Sequence, residues 1–509
     1  MSDAALARSV PEPEATLAAR LARRRIPLAI AIGLLGGSLY ALLLERSLGV
    51  MPAAFGADIY DQMWLAILDG RLDLPARVLR GEGHYAPDGT AYSYHGVAPL
   101  LTRALFDPFV TIGTTSLAPV SIWVWATLGT AFYHAALLRM SGHWDVPEPT
   151  STILGITLWL VGPGVILTSN HPFYHEPVAL AYALTGAFVL ISAHAASRGR
   201  MTALALIGLG ALAAIALHAR PNVAVGLYAG TVLAIAAALW RAWLRVSPGA
   251  VLGLAMLGAG AAGYLALNDA RFGSATAVHG SFDESEIRYG IAFWEMESAN
   301  NARQLGFIEH GRFNAGRILP NGAMYLFAPP QFIVTATSDH AAALHRSYTE
   351  PRVGFIRLEA PRIGMLFYLT PWIVLAGIGL WGVRRHGAAF TGLLLALGGS
   401  ALLTLSYATI TLRYHVDLWP LVFVLALLAL PSLARTRTLP YGIAFTGFFA
   451  LGVMANTALY YPHLLRVYPE TGFAEWSEAE CQARASEIGL PAARIGYVCR
   501  DAMVEPTGG

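Results

Sequence analysis

Charge is scarce in this chain. Asp, Glu, Arg and Lys make up 13% of its 509 residues, where a soluble globular protein carries about 25%. That leaves too little polar surface to cover a water-facing body of this size. Lysine is absent: all 34 basic residues are arginine, which fits a GC-rich bacterial genome better than a binding role. The net charge of +2 gives no basis for bulk binding to nucleic acid. Cysteine is limited to Cys481 and Cys499, near the C-terminus. The chain also lacks a P-loop, a dinucleotide-binding glycine motif, a nucleophile-elbow serine and a His-Glu-x-x-His pair. No internal repeat is evident, which weighs against a transporter built from inverted repeats.

What the chain has in abundance is apolar sequence, 55% of residues, gathered in blocks. A hydrocarbon layer about 30 Å thick takes about 20 apolar residues at the helical rise. Eleven stretches qualify, near 26–44, 117–138, 151–169, 177–193, 201–217, 222–240, 249–268, 363–383, 388–410, 418–434 and 440–460. The expected fold is therefore an all-α polytopic membrane protein with about eleven spans. Several stretches are rich in Ala and Gly, which lets helices approach closely in lipid.

Arginines in the short loops give an orientation. Arg20 and Arg23 to Arg25 precede the first span and place the N-terminal segment, 1–25, in the cytoplasm. Alternation then puts Arg139, Arg198, Arg200, Arg241, Arg245, Arg384, Arg385, Arg435 and Arg437 on that same side. Cytoplasmic loops are too short to hold a nucleotide-sugar domain. The opposite side receives two long loops, about 49–116 and 269–361, and a tail, 461–509. Residues 96–113 are moderately apolar, and counting them as a span would move most arginine pairs outside. They are read as an interfacial or re-entrant helix. For a bacterial inner membrane the tail lies in the periplasm, where Cys481 and Cys499 either pair or remain free thiols.

Polar residues that can carry chemistry gather on this non-cytoplasmic side. Asp58 and Asp61 follow the first helix at the start of an amphipathic stretch. A carboxylate at the edge of a low-dielectric layer can serve as general base for an acceptor hydroxyl. The competing role for Asp58 is helix capping. Asp88-Gly89 reads as a hairpin turn. Tyr92, Tyr94 and His95 follow it, with faces suited to a sugar ring or to an interfacial aromatic belt. His171, His175 and Glu176 lie between two spans as substrate contacts, as polar helix ends, or as ligands of a divalent cation. Pro172 and Pro177 disfavour the regular helix that would align them. Arg220 and Arg413 break the positive-inside trend, and their planar forks suit phosphate oxygens. A local alternative is an ion pair of Arg413 with Asp417 at i,i+4. Arg271, at the opening of the second long loop, and His415 complete the candidates for substrate contact.

With these residues in view, the chain resembles the GT-C superfamily of membrane glycosyltransferases. The likeness rests on Asp58 after the first helix and on the run Tyr60…Leu65-Ala66…Leu68…Gly70-Arg71-Leu72. It extends to Tyr92-Ser93-Tyr94-His95-Gly96-Val97-Ala98-Pro99, to Arg271-Phe272-Gly273-Ser274, and to Arg413-Tyr414…Asp417-Leu418-Trp419-Pro420. The resemblance implies a cytoplasmic N-terminus, a polyprenyl-phosphate-linked sugar donor, inversion at the anomeric carbon, and a glycan, lipid or protein acceptor in the cell envelope. It implies a loop-one acid as base. The chain departs from the adjacent Asp-Glu of protein mannosyltransferases, so the choice between Asp58 and Asp61 stays open. A flippase or transporter of lipid-linked saccharides would carry polar residues at mid-membrane. An O-antigen-type polymerase or ligase would not need the loop-one acid, and a non-catalytic scaffold would not need arginines at its outer helix ends.

Overall fold

The computed structural model describes residues 17–50, 58–114, 116–241, 247–277, 287–296, 302–387, 390–436, 439–467 and 476–500. The first sixteen residues, Arg245 and Arg437 lie outside the described residues. The structure is mostly helical, 74%, and among the described residues eight helices are long and apolar enough to cross a membrane. The chain is a multi-pass membrane protein on this ground.

In chain order the principal helices are α1 (Leu17–Val50), α2 (Ile59–Leu68), α3 (Leu100–Phe106), α4 (Ala118–His143), α5 (Glu148–Leu160), α6 (His175–Arg198), α7 (Ala203–Leu217), α8 (Pro221–Arg241) and α9 (Pro248–Phe272). They continue as α10 (Thr370–His386), α11 (Thr391–Leu405), α12 (Tyr414–Leu427), α13 (Leu439–Val467), α14 (Glu478–Glu487) and α15 (Ala492–Val498). Three of the eleven apolar stretches form shorter helices: α7 and α11 have 15 residues each and α10 has 17. The third stretch breaks at Gly162-Pro163, where proline ends one helix and opens the next, Pro163–Thr168.

Small residues set the packing. A Cβ on Gly210 of α7 would lie 2.5 Å from the Gly253 carbonyl oxygen of α9, and one on Gly260 would lie 2.8 Å from Ala214 Cα. Gly249 and Gly253, four apart, present one flat face to α7. Gly129 and Gly186 allow the same close approach between α4 and α6. In the protein interior, Tyr40 and Tyr182 share the Thr130 hydroxyl at 3.2 and 3.1 Å, so these buried hydroxyls are satisfied.

Residues 96–113 yield only the seven-residue α3, about a third of what a span requires. The loops between the helices also form strands. Both long loops contribute to a four-stranded sheet of β1 (Asp73–Leu74), β2 (Gly83–Tyr85), β3 (Ala91–Ser93) and β4 (Arg288–Tyr289), in the order β1-β3-β2-β4. The Asp88-Gly89 turn closes the β2–β3 hairpin with Gly89 at φ +83°. In β4, Tyr289 pairs with His84, tying the second loop to the first.

The C-terminal tail docks on this sheet. Cys481 and Cys499 form a disulfide joining α14 to the end of α15. Arg500 and Tyr497 hold Asp73 at 2.7 and 2.5 Å, and Arg494 holds Asp88 at 2.7 Å. Burial pushes the Asp73 carboxyl up, but its bonds to Tyr497 and Arg500 outweigh that and leave it below the ordinary 3.8. A lowered carboxyl binds fewer protons folded than unfolded, so its contribution is present above pH 3.8 and is lost as pH falls toward the folded value. Hydrogen exchange in residues 478–498 should therefore speed up below pH 3.8, and Asp73→Asn should produce that loosening at neutral pH. Unchanged exchange in Asp73→Asn would show that the disulfide and apolar contacts hold the tail without Asp73.

Candidate functional site

Three helix starts meet beneath the sheet. Tyr174, Arg220 and Arg413 are the residues immediately before α6, α8 and α12. The Arg413 guanidinium lies 4.6 Å from the Tyr174 ring and 5.5 Å from the Tyr414 ring, and that of Arg220 lies 5.2 Å from Tyr414. Each helix start adds positive partial charge from its aligned peptide dipoles, while the first N–H groups of α6 and α12 bond preceding carbonyls. Three such ends and two guanidiniums make this the natural seat for an anion on the face that carries the loops.

Carboxylates balance the arginines. Arg220 pairs with Asp417 at 2.5 Å, and Asn222 donates to the same carboxylate at 3.0 Å. Arg413 pairs with Glu359 at 3.0 Å. The anticipated local pair of Arg413 with Asp417 does not form, because each side chain finds a partner on another element. A guanidinium carries five N–H donors, so one carboxylate leaves capacity on each fork. Arg220 Nε is buried without a hydrogen-bond partner among the described residues.

The segment after the hairpin completes the wall. His95 lies tilted against Tyr94 with ring centroids 3.9 Å apart and meets Tyr174 edge-on at 5.7 Å. Arg271 fixes this segment by donating to the carbonyls of Ser93 and His95 at 2.9 and 3.0 Å. Gly96 is required here: a Cβ would fall 1.9 Å from the His218 carbonyl oxygen, which accepts from Ala98 N–H at 2.9 Å. Burial, with Arg220 and Arg413 beside it, holds His95 well below the usual imidazole range. His95 therefore meets a ligand as a neutral ring with one donor and one acceptor. Burial and Arg271 lower His84 to about 3. Tyr92 is half-buried, edge-on to Phe272 at 6.3 Å.

The two loop-one acids have different surroundings. Asp58 occupies the position before α2 and is half-buried, yet its side chain makes no capping bond. Asp61, one turn on, accepts from Arg103 Nε at 2.7 Å and from Leu117 N–H at 3.1 Å. The same guanidinium grips Glu176 through two nitrogens. Arg103, Asp61 and Glu176 are all at most 1% exposed. Burial raises the Asp61 carboxyl against the pull of Arg103. Tyr60 lies between the two clusters, 5.6 Å from Arg103 and within range of the charges of Arg220 and Arg271.

No family model matches the chain. No curated protein and no solved structure matches it either.

The His171, His175 and Glu176 constellation disperses. His171 bonds Ser47 at 2.8 Å, His175 bonds the Leu167 carbonyl at 3.0 Å, and Glu176 faces Arg103. Among the described residues no three Asp, Glu, His or Cys side chains converge as a metal site would need. His415 packs behind the wall against Tyr325 and Tyr368, at 5.0 and 5.6 Å. A shallow surface recess, no larger than a water molecule, lies between Glu359 and His415. Arg103, Glu82, Glu359 and Tyr174 were not among the candidates marked from the sequence, and Tyr414 entered only as part of the Arg413-Tyr414 run. Arg103 did carry a signal, as a charge within an apolar stretch. Glu359 carried none.

Proposed function

We propose that this chain is a membrane glycosyltransferase of the GT-C type. It moves a sugar from a polyprenyl-phosphate donor to an acceptor in the cell envelope. The observation that carries the reading is the meeting of Tyr174, Arg220 and Arg413 at three helix starts, beneath a sheet built from both long loops. Phosphate is drawn to that positive seat, and the aromatic wall of Tyr94, His95 and Tyr174 suits a sugar ring.

In the reaction, Asp58 takes the acceptor hydroxyl proton and the freed oxygen bonds to the anomeric carbon. The carbon–phosphate-oxygen bond breaks, and the polyprenyl phosphate leaves with the electron pair. Arg220 and Arg413 meet the charge that develops on it. Attack opposite the leaving group gives inversion.

The topology that goes with this reading has eleven spans, with the N-terminus cytoplasmic and the C-terminus periplasmic. Contacts between loops support the parity. The tail touches the loop after α1 through Asp73 and Asp88, so an even number of crossings separates them. The β4 to β2 pairing demands an even number of crossings between the two long loops. Counting the 15-residue α7 as a span supplies it. The parallel pairing of residues 357–358 with 409–410 is likewise consistent with α10 and α11 crossing as a pair.

The test uses inner-membrane vesicles with and without the chain and a panel of labelled polyprenyl-phosphate hexoses and pentoses. Chain-dependent release of polyprenyl phosphate from one donor, with label moving to envelope material, is the expected result. Sugar use directly from a nucleotide donor, or no chain-dependent turnover of any lipid donor, overturns the reading.

A further inference from the structure

Glu82 has no part in the chemistry above, yet three tyrosine hydroxyls are arranged around it. Tyr94 donates to Glu82 Oε2 at 3.1 Å and Tyr289 to the same oxygen at 3.3 Å. Tyr174 hydrogen-bonds the carboxylate as well. These tyrosines come from the hairpin, from the second long loop and from the start of α6. Glu82, Tyr94 and Tyr174 are half-buried, as is His95, while their chain neighbours Gly81, Gly83, Ser93, Phe173 and His175 are buried. A carboxylate accepts about four hydrogen bonds, so three phenols leave it room for a ligand hydroxyl.

Tyr174 sets the geometry. Its hydroxyl end reaches Glu82 while its ring lies 4.6 Å from the Arg413 guanidinium. One tyrosine side chain thus separates the acid from the anion seat, a span comparable to a single sugar ring. We propose that Glu82 is the group that reads the donor sugar. It accepts hydroxyl hydrogens of an uncharged hexose or pentose whose phosphate points to Arg413, and its charge turns away sugar acids. This rests on the transferase reading but concerns binding alone, so it can be tested apart from turnover.

The probe is a set of methyl glycosides of glucose, mannose, galactose and arabinose, with the methyl glycoside of glucuronic acid. Binding to the full chain in detergent is followed by saturation-transfer NMR. At least one neutral glycoside should bind and the glucuronide should not. Glu82→Gln should weaken the neutral ligand roughly tenfold, the scale of one charge-assisted hydrogen bond, and should admit the glucuronide. Tyr289→Phe keeps the charge and should weaken binding less than Glu82→Gln does. Should Glu82→Gln fail to fold by thermal unfolding, Glu82→Asp serves, and it should change the order of preference among the neutral sugars. No glycoside binding to the native chain, equal binding of glucuronide, or unaltered binding in the Glu82 variants overturns the proposal. Glu82-dependent binding without any lipid-donor turnover would sink the transferase reading and leave the sugar seat standing.

Discussion

Asp58→Asn should lower sugar transfer by about 10²- to 10⁴-fold, the usual worth of a positioned general base. The change keeps shape and hydrogen-bonding polarity and removes the charge, and with it the ability to take a proton. Asp58 stands before α2 but its side chain accepts no bond from the first-turn amides, so no cap is lost. Asp61→Asn makes the comparison decisive. It strips a charged partner from Arg103 and weakens the acceptor for Leu117 N–H, so its main effect should be a lowered unfolding temperature. The measurements are label transfer at saturating donor and thermal unfolding in detergent, on both variants. Transfer by Asp58→Asn at the native rate would remove it from the chemistry.

Arg103→Met should be the most destabilising single change in the loop region. Arg103 is fully buried and joins α3 to α2 and α6 through Asp61 and Glu176. Methionine preserves much of the volume and leaves two buried carboxyls without their counter-charge. Breaking a buried ion pair from one side costs about 3–5 kcal/mol. The loss should depend on pH with a defined sign. Burial already raises the Asp61 carboxyl above 3.8, and removing Arg103 raises it further. A raised carboxyl takes up protons on folding, so the penalty grows as pH rises through the folded value and shrinks in acid. Unfolding at pH 5 and pH 8 should give the smaller deficit at pH 5. Arg103→Met combined with Asp61→Leu and Glu176→Leu should recover part of the stability, because an apolar trio has no charge to compensate. A pH-independent deficit would show that lost packing, and not stranded charge, governs the site.

Much of the scaffold is visible in local sequence because the bilayer acts on each segment separately. A run of apolar residues is driven into helix wherever it lies, since every backbone polar group must be paired in lipid. The Asp88-Gly89 hairpin is legible for a similar reason: the turn needs φ > 0 at a residue that tolerates it. The shortness of α3 follows from Pro99 and Asp107-Pro108, which bracket it in the chain.

The site is another matter. Arg103 reaches Asp61 and Glu176, 42 and 73 residues away, and Arg220 reaches Asp417 across 197. From the sequence, Arg413 and Asp417 made a good i,i+4 pair, and Glu176 with two histidines made a fair metal pattern. Each local match lost to a partner brought close by helix packing. A buried charge must find its counter-charge somewhere, but hydropathy and spacing do not say where. By itself the sequence determined that this is a membrane-embedded helical bundle, and it marked the acids, aromatics and arginines worth following. Which of them meet was decided only when glycine faces let the helices close and both long loops joined one sheet. Ion pairs and ring contacts act over a few ångströms of space, and they are indifferent to distance along the chain.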